Sequence, residues 1–93
     1  MKILKLDFSK ATYFSDIHKI IKETFDFPDF YGENLDALWD CMRDYCEYEL
    51  HVVVSGTETF SDEWKEYMKK VFDVFDDVHN ECKDFTYEIS DEV

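Results

Sequence analysis

Two hydrophobic patterns alternate along this chain and together predict six secondary-structure elements. Apolar residues three and four apart predict amphipathic helices over Ser15–Phe25, from Leu35 to about Tyr45, and from a cap at Ser61 through a stripe running from Trp64 to Val78. Short apolar or β-branched runs predict strands over Lys2–Phe8 and Leu50–Val54. Strict alternation over Phe85–Ile89 predicts an edge strand with one solvated face. Strands separated by helices imply right-handed crossovers in a parallel sheet. We therefore expect an α/β fold, a small three-stranded parallel sheet with helices packed on it as a single pair of layers.

Polar residues before the helices predict how each one begins. Ser15, Asn34 and Ser61 each stand where a side-chain oxygen accepts a hydrogen bond from an amide of the first helical turn. Gly32 is one of only two glycines, and we expect it to supply a positive φ to the turn before the second helix. Pro28 ends the first helix and begins an extended connection.

The second predicted helix has one apolar face and one acidic face. The apolar positions are Leu35, Leu38, Trp39 and Met42, and the acidic positions are Asp36, Asp40 and Asp44. Like charges four residues apart each cost a helix roughly 0.2–0.5 kcal/mol, so helix stability does not explain the acidic row. A carboxylate row beside a Trp edge suits a cationic partner. The alternative is a solvated face on a very acidic protein.

Length and charge limit the function classes. The 93 residues fit one domain, which we place over 1–93. The formal net charge of −13, from 23 acids and 10 bases, repels nucleic acid and anionic membranes and attracts basic proteins. The chain has no secretory hydrophobic region and no CxxC pair among its three cysteines. We expect a cytoplasmic protein with reduced thiols that binds neither nucleic acid nor membrane.

Candidate chemistry is sparse. His18, His51 and His79 are scattered over different elements, and none has the Ser or Cys neighbour that nucleophilic catalysis needs. The acidic group at Asp73, Asp76 and Asp77 lacks flanking glycine, and a solvated helix face explains it better than a metal site. We expect no catalytic residues, no metal and no cofactor.

The segment Phe30-Tyr31-Gly32-Glu33-Asn34-Leu35-Asp36-Ala37-Leu38-Trp39-Asp40-Cys41 resembles the signature of the barstar family, the intracellular inhibitors of the ribonuclease barnase. The match mixes aromatic, Gly, Asn, Trp and acidic positions over a long stretch, so it is more specific than a short motif. The resemblance implies the same three-stranded α/β architecture. It also implies an inhibitor that forms a 1:1 complex with a basic secreted or toxin ribonuclease and is a monomer when free.

The resemblance also implies a binding site. Asp36 and Asp40 match the two helix aspartates that occupy the phosphate-binding active site of the ribonuclease. Neighbouring contact positions, and one acidic position on the last helix, fall on Gly32, Asn34, Leu35, Trp39 and Asp77. Three departures are Phe30, where the family has tyrosine, Tyr45, where it has tryptophan, and Arg43 with Asp44, where it has small neutral residues.

Two alternatives remain open at this stage. A barstar-like immunity protein or antitoxin against another nuclease or toxin class would explain the same acidic helix with altered neighbours. A general nucleic-acid mimic would explain the charge but not a single preferred partner.

Overall fold

Three parallel strands form one sheet in the order β1-β2-β3. The computed structural model describes residues 2–43 and 49–90. The strands are β1 (Lys2–Asp7), β2 (Leu50–Ser55) and β3 (Phe85–Ile89). Lys2 of β1 is opposite Leu50 of β2, and Leu50 is in turn opposite Phe85 of β3. The predicted parallel α/β sheet is confirmed, with β2 in the centre and β3 at one edge.

Within the described residues, three helices connect the strands. They are α1 (Asp16–Phe25), α2 (Leu35–Arg43) and α3 (Asp62–Glu81). All three were predicted, and the predicted end of the second helix at about Tyr45 lies outside the described residues. Both crossovers advance in the same direction across the sheet, so right-handed connections put every helix on one face.

Burial along the central strand shows the two faces of the sheet. Leu50, Val52 and Val54 are buried, whereas the alternate positions His51 and Val53 are only partly buried. A strand alternates its side chains between faces, so the buried set lies under the helices and the other face is open. The expected pair of layers, one sheet and one layer of helices, is therefore confirmed.

Each helix buries the stripe that its sequence predicted. The core residues that the helices contribute are Ile17, Ile21 and Phe25 from α1, Leu38 and Met42 from α2, and Met68, Val71, Phe75 and Val78 from α3. Leu35 and Trp39 pack against this core but stay partly exposed. The apolar face of α2 thus reaches the surface at its margin, beside the acidic face.

The start of α1 differs from the prediction. Ser15 has helical dihedral angles and makes no capping hydrogen bond through its side chain, so the predicted Ser15 cap is wrong. The carboxylate of Asp16 instead accepts hydrogen bonds from the amides of Thr12 and Tyr13, both at 2.9 Å. These bonds hold the pKa of Asp16 below its usual value. Asp16 therefore stabilises the loop that leads into α1, and no side-chain hydrogen bond from Ser15 caps the helix.

The cysteines also depart from expectation. Cys82, directly after α3, is disulfide-bonded, so the prediction of reduced thiols is wrong for this residue. Cys41 is partly buried and packs against the core.

Candidate functional site

Asn34 begins α2 as the sequence predicted. Its side-chain Oδ1 accepts a hydrogen bond of 2.8 Å from the amide of Ala37. Its Nδ2 donates to the carbonyl of Gly32 at 3.2 Å, so the same side chain also fixes the preceding turn. Asp36 lies in the first turn, where the positive end of the helix dipole favours a carboxylate. The cap and the turn together set the direction in which the acidic face points.

Gly32 has a different role from the one predicted. The positive φ of this turn falls on Glu33, at 51°, and not on Gly32, so that prediction is wrong. A Cβ at Gly32 would lie 3.3 Å from Asn34 Nδ2 and 3.4 Å from Ala37 Cβ. The glycine therefore leaves room for the capping side chain to reach back over the turn.

A buried polar network holds the loop before α2 in place. Tyr31 is buried, and its hydroxyl lies 2.6 Å from Nδ1 of His18 on α1. Nε2 of the same histidine lies 2.5 Å from the hydroxyl of Tyr67 on α3. Burial lowers the pKa of His18 and raises the pKa of Tyr31, which keeps all three groups neutral near pH 7. The loop is thus tied to two helices through one neutral imidazole.

Phe30 projects from this anchored loop. The chain turns from Pro28 to Tyr31, with a hydrogen bond of 2.9 Å from the Tyr31 amide to the Pro28 carbonyl. Tyr31 points into the core, whereas the next residue outward, Phe30, is 84% exposed. An aromatic ring so exposed adds little to the stability of the fold. Because the loop that carries it is held in place, the ring is well positioned for contact with a partner.

Asp36 and Asp40 lie on one exposed side of α2. They are four residues apart, so their side chains follow each other along the same face of the helix. Trp39 and Leu35, both partly buried, border this face on the side of the core. Two exposed carboxylates next to an apolar margin form a surface suited to a cationic group with an apolar surrounding.

The C-terminal end of α3 joins this surface. Arg43 of α2 places its Nε 3.5 Å from Oε2 of Glu81 on α3. Asp77 is exposed and lies one turn before Glu81 on the same side of α3. Asp77 is thus placed one turn from the Arg43–Glu81 contact, and its role in binding stays a prediction. Tyr45, also a predicted contact, lies outside the described residues.

Two features of the site were absent from the sequence analysis. One is the His18 network, for which the signal was a histidine among isoleucines on the buried stripe of α1. The other is the contact of Arg43 with the ring of Trp39, in which the guanidinium carbon lies 5.7 Å from the ring centroid. That contact had a signal too, since the residues are four apart on one helix.

Within residues 2–43 and 49–90, no three His, Cys, Asp or Glu side chains are grouped so that they could hold a metal ion. Over the same residues, no helix is both long enough and apolar enough to cross a membrane.

The fold and this surface define a small α/β protein with one helix layer and an exposed acidic helix. The chain belongs to the barstar family: the family model described as "Barstar (barnase inhibitor)" matches residues 1–90. A relative from Bacillus subtilis (strain 168), named "Putative ribonuclease inhibitor YrdF", is 37% identical over 68 residues, which cover 73% of this chain and 75% of the relative. The resemblance found in the sequence is thereby confirmed.

Proposed function

We propose that this protein is a cytoplasmic inhibitor of a basic ribonuclease, which it binds one-to-one by placing α2 over the active site. The observation that carries the proposal is the pair of exposed carboxylates, Asp36 and Asp40, one turn apart on a well-capped helix. Family membership and the name of the relative support the same activity.

The mechanism needs no bond chemistry. A ribonuclease holds RNA phosphates with arginine, lysine or protonated histidine, and carboxylates pair with the same groups through charge-assisted hydrogen bonds. The body of α2 then blocks the path of the substrate. Trp39, Leu35 and Phe30 supply apolar contact around the charged centre, and Asp77 extends the acidic surface from α3.

Overall charge helps the two proteins to meet. A net charge of −13 attracts a basic enzyme from beyond contact distance and repels the RNA with which the inhibitor competes. We infer from this that the protein acts as a binding partner and not as an enzyme.

The second candidate is an immunity protein against a different nuclease or toxin class. It is favoured by the surface departures from the family, because Phe30 and Arg43 both lie on the proposed contact surface. A general nucleic-acid mimic is the third candidate, and it predicts binding to many basic proteins without fixed stoichiometry.

The test is inhibition of barnase in an RNA-cleavage assay, with the stoichiometry measured by calorimetry. We expect a one-to-one endpoint that is lost in a variant with both Asp36→Asn and Asp40→Asn. The matched control is Glu58→Gln with Glu63→Gln, which removes the same two charges from exposed positions around the start of α3. Loss of inhibition in the control as well would favour the general mimic. Inhibition of a deoxyribonuclease but not of barnase would favour the second candidate.

A further inference from the structure

Arg43 is a cation placed within an acidic face. It is the single basic residue of α2, three residues after Asp40 and seven after Asp36. At 3.6 residues per turn, these separations put Arg43 on the same side of the helix as both aspartates. The surface that is proposed to receive a basic partner therefore carries a positive charge of its own.

The contacts of Arg43 are those of a surface residue. Its guanidinium lies against the ring of Trp39 and within 3.5 Å of Glu81. The side chains of Arg43 and Glu81 are 56% and 51% exposed. Ion pairs with that much exposure contribute little to stability. Arg43 is also in the last turn of α2, where the helix dipole favours a positive charge by about 0.3–1 kcal/mol, but a lysine would meet that need equally well.

The position has consequences for a bound protein. The ion pair offsets the charge of Glu81, and the guanidinium covers part of the Trp39 ring. A lysine or arginine of the partner facing this end of α2 would meet a like charge. A carboxylate would meet a guanidinium with five N–H donors, whose ion pair with Glu81 is formed through Nε.

We propose that Arg43 determines specificity, by selecting a ribonuclease that carries a carboxylate beside the basic site that receives Asp36 and Asp40. The proposal rests on the proposed ribonuclease inhibition and names one feature of the partner. The same residue disfavours a ribonuclease that has lysine or arginine opposite Arg43, because the two positive charges repel each other.

The test uses barnase and a set of its variants in which each lysine or arginine bordering the active site is changed to glutamate, one at a time. Inhibition constants are measured for the parent protein, Arg43→Thr and Arg43→Glu. The control is Lys5→Thr, which removes one positive charge from an exposed position on the open face of the sheet. Thermal melts of each variant establish that it is folded.

For each enzyme we compare the inhibition constant of Arg43→Thr with that of the parent. This ratio should be about tenfold larger for at least one glutamate variant than for unaltered barnase, which is the scale of coupling between close charges. Arg43→Glu should reverse the preference for that same enzyme variant. Lys5→Thr should leave every such ratio within about twofold, because its charge is remote and screened.

Two results would overturn the proposal, and they are distinguishable. If Asp40→Ala abolishes inhibition but no barnase variant separates the parent from Arg43→Thr, Arg43 does not determine specificity and the inhibition mechanism stands. If neither the parent nor Arg43→Thr inhibits barnase or any of its variants, the proposed function is wrong for this enzyme class and the inference is wrong with it.

Discussion

Nδ1 of His18 lies 2.6 Å from the hydroxyl oxygen of Tyr31, and this hydrogen bond ties α1 to the loop that carries Phe30. The opposite ring nitrogen lies 2.5 Å from the hydroxyl of Tyr67. A neutral imidazole has one donor and one acceptor, so one tyrosine donates to the ring and the other accepts from it. Both His18 and Tyr31 are about 5% exposed, which makes the network part of the core and also the support of the proposed contact loop.

Acid should destabilise the protein through His18. Burial holds its pKa below 6.5, although the nearby Glu33 carboxylate acts in the opposite direction. In the interval between the lowered pKa and 6.5, the unfolded state binds more protons, so the free energy of unfolding should fall as pH drops below 6.5. Urea denaturation of the parent and of His18→Gln at several pH values measures this effect.

His18→Gln should be less stable than the parent at pH 7 but should show a shallower decline below pH 6.5. The carboxyl groups of Asp7 and Asp16 have pKa values below 3.8, so their stabilisation is lost only at more acidic pH. An equal decline in parent and variant between pH 6.5 and 5 would contradict the role of His18.

The two tyrosines of the network should have different effects on inhibition. Tyr31→Phe and Tyr67→Phe each leave one ring nitrogen of His18 without its partner, which should cost about 1–3 kcal/mol of stability. Only Tyr31 belongs to the loop next to Phe30, so Tyr31→Phe should also weaken inhibition of barnase. Inhibition is measured for both variants well below their melting temperatures. Equal losses of inhibition would contradict a specific role of Tyr31 in supporting the contact loop.

The fold was predictable because its elements each carry a strong period. The apolar stripes of the helices and the β-branched run of β2 are visible in consecutive residues, so the order of strands and helices and the two layers followed from the sequence. Local capping was less predictable. Asn34 and Ser61 cap as expected, but Ser15 does not, and the carboxylate of Asp16 binds two amides of the loop before α1.

The site was predictable in part. Asp36 and Asp40 lie on one helix, so their common face follows from spacing alone. The pairing of His18 with Tyr67 joins residues 49 positions apart and depends on how the helices pack, which no local pattern contains. The proximity of Arg43 to Glu81 has the same tertiary origin.

The two glycines should respond differently to substitution. Gly56 has φ of 81°, and a Cβ there would lie 2.3 Å from the amide nitrogen of Ser9. Gly56→Ala should therefore lower the free energy of unfolding by at least ~1–2 kcal/mol, the cost of left-handed backbone alone. Gly32→Ala meets only ordinary or slightly close contacts and should change it by less than ~1 kcal/mol. Chemical denaturation of both variants measures the two free energies of unfolding. A larger loss for Gly32→Ala than for Gly56→Ala would contradict the roles assigned to the two glycines.

Asp40→Ala should weaken inhibition by at least ~2 kcal/mol, the scale of an interface hot spot. Asp40 is exposed on α2, so its removal should leave the melting temperature nearly unchanged. Inhibition of barnase and thermal unfolding are measured together, with Glu63→Ala as the control for loss of one exposed acid. Inhibition equal to that of the parent would remove Asp40 from the contact surface.

Salt should slow association and leave dissociation almost unchanged. A protein with net charge −13 should meet a basic nuclease far faster than the ~10⁵–10⁶ M⁻¹s⁻¹ of unsteered pairs. Raising salt from roughly 0.05 to 0.5 M shortens the Debye length about threefold, so the long-range attraction should fade. In the proposed complex, the close pairs at Asp36 and Asp40 would be desolvated, so salt should screen them much less.

Stopped-flow mixing with barnase at several salt concentrations separates the two rates. The variant with Glu58→Gln and Glu63→Gln should associate slightly more slowly and dissociate at the parent rate, because both acids lie around the start of α3, whereas Arg43 of α2 meets Glu81 at the end of that helix. Asp40→Ala should instead dissociate faster, because it removes a contact that forms after the encounter. An association rate indifferent to salt would show that the charge of this protein does not steer the encounter, whatever its final affinity.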